Sequence, residues 1–281
     1  MMQIYESEIT SIESLLTTIE FVNSKFDHQI WWRGQRKYKW ELEPAVFRNG
    51  NEHDERARIL RFQQRAISRH DNLPALTDNP GWLFIMQHYR LPTRLLDWTE
   101  SPLVALFFAS EINKCHQKYP AKISDADGAL FAISPYLLNH NQLGKNGILM
   151  PEEPEVIDSM MPAFDESARE KKKIIAIRPS EVDIRLMVQL SVFTINGYKI
   201  AIENLPSSDK YLWKFKVPRE SKEKLRKELK QLGIRLSNIF PDLDHLSKEI
   251  RQLTFKPFIK SPPTQAERLS YSEIRGTEPS T

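Results

Sequence analysis

The run PGWLFIMQHYRLPTRLLDWTESPLVALFFAS, from Pro80 to Ser110, limits this chain's folding options more than any other segment. Its apolar residues are too dense for a surface and too interrupted for a single helix. Pro80 can open a helix that buries Trp82, Leu83, Ile85, Met86 and Tyr89. Leu91-Pro92 ends it, because proline holds the preceding residue in extended backbone. The LVALFFA after Pro102 has no polar face and reads as a core helix, with Thr99 able to cap it and Glu100, Ser101 and Pro102 in its first turn. Between the helices, TRLLDW is a short strand or turn that sets Arg94 and Asp97 in one connection. Charge lodged there needs a partner, since an unpaired buried ion costs on the order of several kcal/mol.

A second charged residue is embedded in the same way. QIWWRGQ carries a β-prone aromatic run into Arg33 and breaks it at Gly34. A guanidinium is permanently charged and carries donors in a planar fork, so Arg33 calls for a carboxylate, a phosphate or a carbonyl. Asp97 is the carboxylate set between two apolar stretches, and Arg33, Arg94 and Asp97 are expected to share one pocket. Such a group serves equally well as a structural ion pair. His88 is either a hydrogen-bonded core histidine or a general base. Gln87 and Gln189 also sit on apolar runs, and Gln189 could satisfy backbone groups at a sheet edge. FPDLDH offers Asp242 and Asp244 two residues apart, suited to a divalent cation, yet Asp242 also stands where a helix wants its N-cap. Trp31 and Trp32 point to opposite faces of a strand.

The rest of the chain alternates irregularly. Thr10-Ser11-Ile12-Glu13 reads as a capping box, with Ile12, Leu15, Leu16, Ile19 and Val22 at helical spacing. WELEPAVFR is extended and kept off a sheet centre by Pro44. A charged amphipathic helix runs from about Glu52 to His70. DGALFAI, Lys173 to Ile177 and LWKFKVP read as strands, and IRLMVQLSVFTI mixes helical and extended signals. The acidic segment from about Met150 to Glu170 has no clean period and reads as a surface excursion. ESKEKLRKELKQL is a helix closed by Gly233. Strands without a βαβ rhythm predict an α+β fold with a mixed or mostly antiparallel sheet and flanking helices. The expected organisation is one domain over residues 1–255 and a flexible tail over 256–281, where Pro, Ser, Thr and charge dominate.

Composition narrows the chemistry. Forty basic against 37 acidic side chains, intermixed, give a net charge of +3, too small a bias to argue for nucleic acid. The single Cys115 excludes an internal disulfide framework and has no zinc-type neighbours. No stretch approaches a membrane span, and a cytoplasmic protein is expected. GxxxxGK[ST], GxGxxG and GxSxG are all absent, so phosphate would be held by side chains such as Arg33 and Arg94.

WWRGQ resembles the aromatic-Arg-Gly signature of the FRG domain family, and MQHYRLPTRLLDWTESPLVALFFA resembles that family's longest motif. DGALFAI, RLMVQLSVF and FPDLDHL match its later landmarks in order, so the resemblance spans roughly Glu20 to Ile250. Trp32 replaces the usual Phe or Tyr, Arg90 stands where Gly is usual, and Ser191 and His245 occupy positions that often hold Gly. The family layout is similar to that of ADP-ribosyltransferases. The resemblance implies NAD as cofactor or substrate, with Arg33 and Gly34 on its phosphates and ribose and Arg94 beside them. It sets Thr99 or Ser101 near the nicotinamide and Gln189 at the third position, where such enzymes have an acidic or amide residue. Asp97 would supply the missing carboxylate, with His88 and Gln189 as further catalytic candidates, and no metal is expected. The role implied is an ADP-ribosylating or NAD-cleaving effector, a toxin of bacterial conflict or phage defence. Its acceptor, protein or nucleic acid, is left open, and no membrane partner is expected. The alternatives are a non-catalytic module that binds a nucleotide or a partner, and a nuclease built on His88, Arg94 and Asp97.

Overall fold

The β-branched and aromatic runs become strands: β1 (Gln3–Glu8), β2 (Trp31–Gln35), β3 (Leu95–Thr99), β4 (Gly128–Ile133), β5 (Ile174–Ile177), β6 (Ser191–Asn196) and β7 (Leu212–Val217). In the computed structural model, which describes residues 3–48, 50, 54–112, 126–179 and 184–251, they form one sheet in the order β1-β7-β4-β2-β3-β6-β5. The β1–β7 pair is parallel and the others are antiparallel. This is the mixed α+β sheet that the sequence predicts. The helices are α1 (Ile12–Asn23), α2 (Glu55–Ala66), α3 (Asn79–His88), α4 (Pro102–Ala109), α5 (Pro135–Leu143), α6 (Pro154–Met160), α7 (Ile184–Val188), α8 (Lys222–Gln231), α9 (Leu236–Ile239) and α10 (Leu243–Ile250). Among the described residues, no helix is long and apolar enough to cross a membrane.

Residues opposite each other across a ladder share a face of the sheet, so the register fixes where each apolar side chain goes. On one face Trp31, Leu96, Trp98, Phe131, Ile133 and Val192 form a continuous core with Leu138 of α5 and with Leu42, Ile202 and Leu205 from connecting segments. The other face carries two cores. Trp32, Leu130, Ala132 and Phe215 pack with Leu15 of α1, Val104 of α4 and Leu225 of α8. Leu95, Ile175, Phe193 and Ile195 pack with Ile59 of α2, Met86 of α3 and Met160 of α6. Trp31 and Trp32 thus enter different cores, as their adjacency in a strand predicts. The boundary between the two cores of the second face falls at β2 and β3.

Gly34 explains the break in QIWWRG. A Cβ there would lie 1.8 Å from the Ala105 carbonyl oxygen, so α4 rests directly on the β2 backbone. Glycine allows that approach, and α4, apolar on all sides, fills the space between sheet and α8.

Several local expectations are corrected. Ser101, not Thr99, caps α4, accepting from Val104 N–H at 3.3 Å, with Pro102 in the first turn. The α1 capping box is closed by Ser11 and Ser14. The segment after Met150 is no surface excursion, because Val156, Met160 and Ala163 are buried in the core under β5 and β6. Pro44 is followed by a single 3-10 turn, Ala45–Phe47. The ambiguous IRLMVQLSVFTI divides into α7 and β6. β1 is an edge strand that the sequence reading missed. Cys115 and the tail over 256–281 lie outside the described residues.

Candidate functional site

β2 and β3 share one ladder pair, Trp32↔Thr99, whereas β2 pairs with β4 and β3 with β6 along their lengths. The sheet therefore parts at this seam, and a cleft of about 310 Å³ opens there between the two cores. Arg33 and Gly34 line it from β2, Asp97 and Thr99 from β3, and Val104 and Phe108 from α4. Gln87, Arg90 and Leu91 close it from the end of α3, and Arg185, Gln189 and Ser191 from α7 and the start of β6.

Arg33 finds its partner across the seam. Its Nη1 donates to the Asp97 carbonyl and lies 3.8 Å from Asp97 Oδ2. The Arg33 side chain is 17% exposed and that of Asp97 56%, so the cation is held in the wall while the carboxylate faces open space. Arg33 Nε is buried with no hydrogen-bond partner among the described residues. Burial pulls the guanidinium pKa down to about 10; Asp97 opposes that shift and Arg48 adds to it. Asp97 Oδ2 also accepts from Gln87 Nε2 at 2.8 Å, and Gln87 Oε1 accepts from Thr93 Oγ1 at 2.5 Å. The chain Thr93–Gln87–Asp97–Arg33 fixes the carboxylate without covering it.

Thr99 and Gln189 meet on the far wall. Thr99 Oγ1 donates to the Gln189 carbonyl at 2.6 Å and accepts from Ser101 N–H at 3.0 Å. Gln189 Nε2 donates to the Ile239 carbonyl at 2.9 Å, at the end of α9. Of the residues singled out in the sequence, Arg33, Gly34, Asp97, Thr99 and Gln189 line the cleft together. Ser101 stands behind Thr99 as the α4 cap.

Arg94 does not join them. It is 2% exposed and paired with Glu55 of α2, Nη2 to Oε2 at 2.5 Å and Nε to Oε1 at 3.1 Å, and Nη1 donates to the Ser159 carbonyl at 2.9 Å. Its cation is consumed by a buried structural pair, which removes it from a phosphate grip on this cleft. His88 also lies off the cleft wall, with its carbonyl accepting from Arg185 Nη1 at 2.9 Å and its ring against Tyr89. The trio His88, Arg94 and Asp97 expected of a nuclease is thus dispersed. Asp242 caps α10, accepting from His245 N–H at 2.8 Å, and its carboxylate also meets the His245 ring at 2.6 Å. These bonds hold Asp242 below the usual carboxylate range, the backbone donor contributing most. Asp244 lies in the first turn of α10. Among the described residues, no group of three or more His, Cys, Asp or Glu is placed to hold a metal ion.

The sequence puts Arg90 as a cation beside the pocket loop and predicts a path there that departs from glycine's, and it does not place Arg185 in the site. Arg90 adopts φ +62°, the left-handed conformation that glycine favours, so the turn after α3 keeps a glycine-like path with a cation in it. A bulky residue at a glycine position was the available signal. Arg185 had none, since α7 reads as part of an ambiguous apolar run.

The cleft is thus a pocket in the seam of an α+β sheet, lined by the guanidiniums of Arg33, Arg90 and Arg185 and, among the described residues, by one carboxylate, Asp97. Residues 28–118 match the family model of the FRG domain, so this chain carries an FRG domain. The matched segment contains Arg33, Gln87, Asp97 and Thr99; Arg185 and Gln189 close the cleft from outside it. No curated protein and no solved structure matches the chain.

Proposed function

We propose that the cleft binds NAD and that the protein cleaves the bond between nicotinamide and ribose. One observation carries this reading: among the described residues the single carboxylate on the wall, Asp97, is oriented by Gln87 and open to the cleft, while the other charged lining groups are the guanidiniums of Arg33, Arg90 and Arg185. Guanidinium forks suit the oxygens of a pyrophosphate. A fixed carboxylate suits the positive charge that builds at the ribose anomeric carbon as the glycosidic bond breaks. The bonding pair leaves with the pyridine nitrogen, so nicotinamide departs neutral. Water or an acceptor then adds to the ribosyl cation and loses a proton. Thr99 would orient the nicotinamide side through the Gln189 backbone that it holds. An NAD-consuming activity fits an effector of bacterial conflict or phage defence, the role implied by the family resemblance.

A binding module without chemistry is favoured by one feature, the Gln189 side chain. It is an amide where a second carboxylate would help, and its Nε2 is already committed to Ile239. Incubating the purified chain with NAD labelled in the nicotinamide ring, with Arg33→Ala as control, distinguishes the two. Nicotinamide release that depends on Arg33 is expected. Saturable NAD binding without release, with candidate acceptors present, would assign the binding module, and absence of binding would remove NAD from the cleft.

A further inference from the structure

Beside the cleft lies a second concavity of about 400 Å³, and the two share Arg90, Arg185 and Phe108 as a common wall. The second is strongly basic and aromatic. Arg90 and Arg185 both stand over the Phe240 ring, at 5.6 and 4.9 Å from its centroid, and His245 stacks on that ring at 4.6 Å. Arg226 of α8 lies over Phe107 at 4.2 Å and donates to the Phe107 carbonyl. Among the described residues, Glu111 is the only carboxylate lining this concavity, against the guanidiniums of Arg90, Arg185 and Arg226. Exposed Arg90 has no carboxylate partner among the described residues. Like charges gathered at a surface repel, and the arrangement is stabilised by an anion that bridges them. Aromatic rings and guanidinium planes together also offer stacking faces to a base.

We infer that this concavity is the site for a nucleoside 5′-monophosphate unit, the adenylate half of a dinucleotide whose other half occupies the first cleft. The inference rests on the NAD reading for the second half of that ligand, but its own chemistry is that of adenosine monophosphate. Arg90 and Arg185, in the shared wall, would then meet the pyrophosphate, of which the adenylate phosphate is one half, and Arg226 and His245 the adenylate ribose or base.

Calorimetric titration of the full chain with adenosine monophosphate, nicotinamide mononucleotide and NAD tests the assignment. Two variants perturb the second concavity, Arg226→Gln and His245→Ala, with thermal melts to establish that each is folded. The expected result is about a tenfold or greater loss of affinity for adenosine monophosphate and NAD in Arg226→Gln, with nicotinamide mononucleotide unaffected. Arg33→Ala is expected to show the converse for the mononucleotides. Wild-type affinity for NAD and adenosine monophosphate in both folded variants would overturn the subsite and leave the first cleft's reading intact. Arg226-dependent binding of adenosine monophosphate without any NAD binding would uphold the subsite while removing NAD. Failure of wild type to bind adenosine monophosphate would overturn it.

Discussion

Arg33 donates to the backbone carbonyl of Asp97 across a seam in which β2 and β3 share only one ladder pair. A cation thereby substitutes for the backbone donors that a continuous ladder would supply. That leaves the Asp97 carboxylate, 3.8 Å away from Arg33 Nη1, bound on one side by Gln87 and free on the other. The same contact that stitches the sheet also builds the cleft, so Arg33 both joins the strands and lines the cleft wall.

Asp97 is therefore separable from the fold. Its side chain is more than half exposed, and Asn would keep an acceptor for Gln87 Nε2. Asp97→Asn is expected to melt within about 1 kcal/mol of wild type, as surface changes usually do. Nicotinamide release should fall by about a hundredfold or more, the scale on which removing one group aimed at developing charge acts. Parallel melting curves and release assays check both halves, and an unchanged rate would remove Asp97 from the chemistry.

Arg94 and Glu55 should behave in the opposite way. Both are nearly fully buried, and their bidentate pair ties the residue before β3 to α2. Glu55→Ala strands a guanidinium in the core and is expected to cost about 3–5 kcal/mol. Arg94→Lys cannot reproduce the fork and should recover little of that stability. Urea unfolding measures the loss, and binding per folded molecule should stay at wild type because neither residue lines the cleft.

What was legible in the sequence follows from how local each signal is. TRLLDW shows as β3 because alternation is a local property, and the opposed destinations of Trp31 and Trp32 follow from the same period. The partner of Arg94 was not legible, because Glu55 lies 39 residues upstream on a helix whose charges look solvated. β1 was missed since its pairing with β7 depends on residues more than two hundred positions away. α6 was missed because a seven-residue helix opened by Pro154 gives too few turns to reveal a period. The cleft is a property of register at the β2–β3 seam, which no motif encodes; the residues that line it from β2 and β3, and Gln189 just before β6, could be named, but Arg94 could not be excluded from them.

Gly34 offers a test of the sheet–helix contact that shapes the cleft. An alanine Cβ would meet the Ala105 carbonyl oxygen at 1.8 Å and the Ala109 nitrogen at 2.5 Å, both backbone atoms of α4 that cannot rotate away. Relief requires α4 to lift from β2, which would displace Val104 and Phe108 from the cleft wall. Gly34→Ala is expected to cost about 1–3 kcal/mol, the usual scale of overpacking, and to weaken ligand binding in the molecules that remain folded. A stable Gly34→Ala variant with wild-type binding would show that α4 moves freely.

Glu203 supplies a pH signature on the opposite face of the sheet. Both of its carboxylate oxygens accept from Leu42 N–H at 3.0 Å, fixing the segment whose Leu42 enters the continuous core. Burial pushes the Glu203 carboxyl up, with the Leu42 N–H and nearby Lys214 pulling the other way. A carboxyl raised above its unfolded value of about 4.3 binds protons more tightly in the folded state. Its contribution to stability is therefore greatest in acid and is lost as pH rises through the folded value. Glu203→Gln keeps an acceptor for Leu42 and removes the ionisation, so this component is absent from the variant. The stability of the variant relative to wild type should consequently increase from pH 4 to pH 8, whatever its sign at either end. Denaturant unfolding of both proteins at the two pH values measures that difference, and a relative stability that fell with pH would mean that the ionised carboxylate is the form the fold prefers.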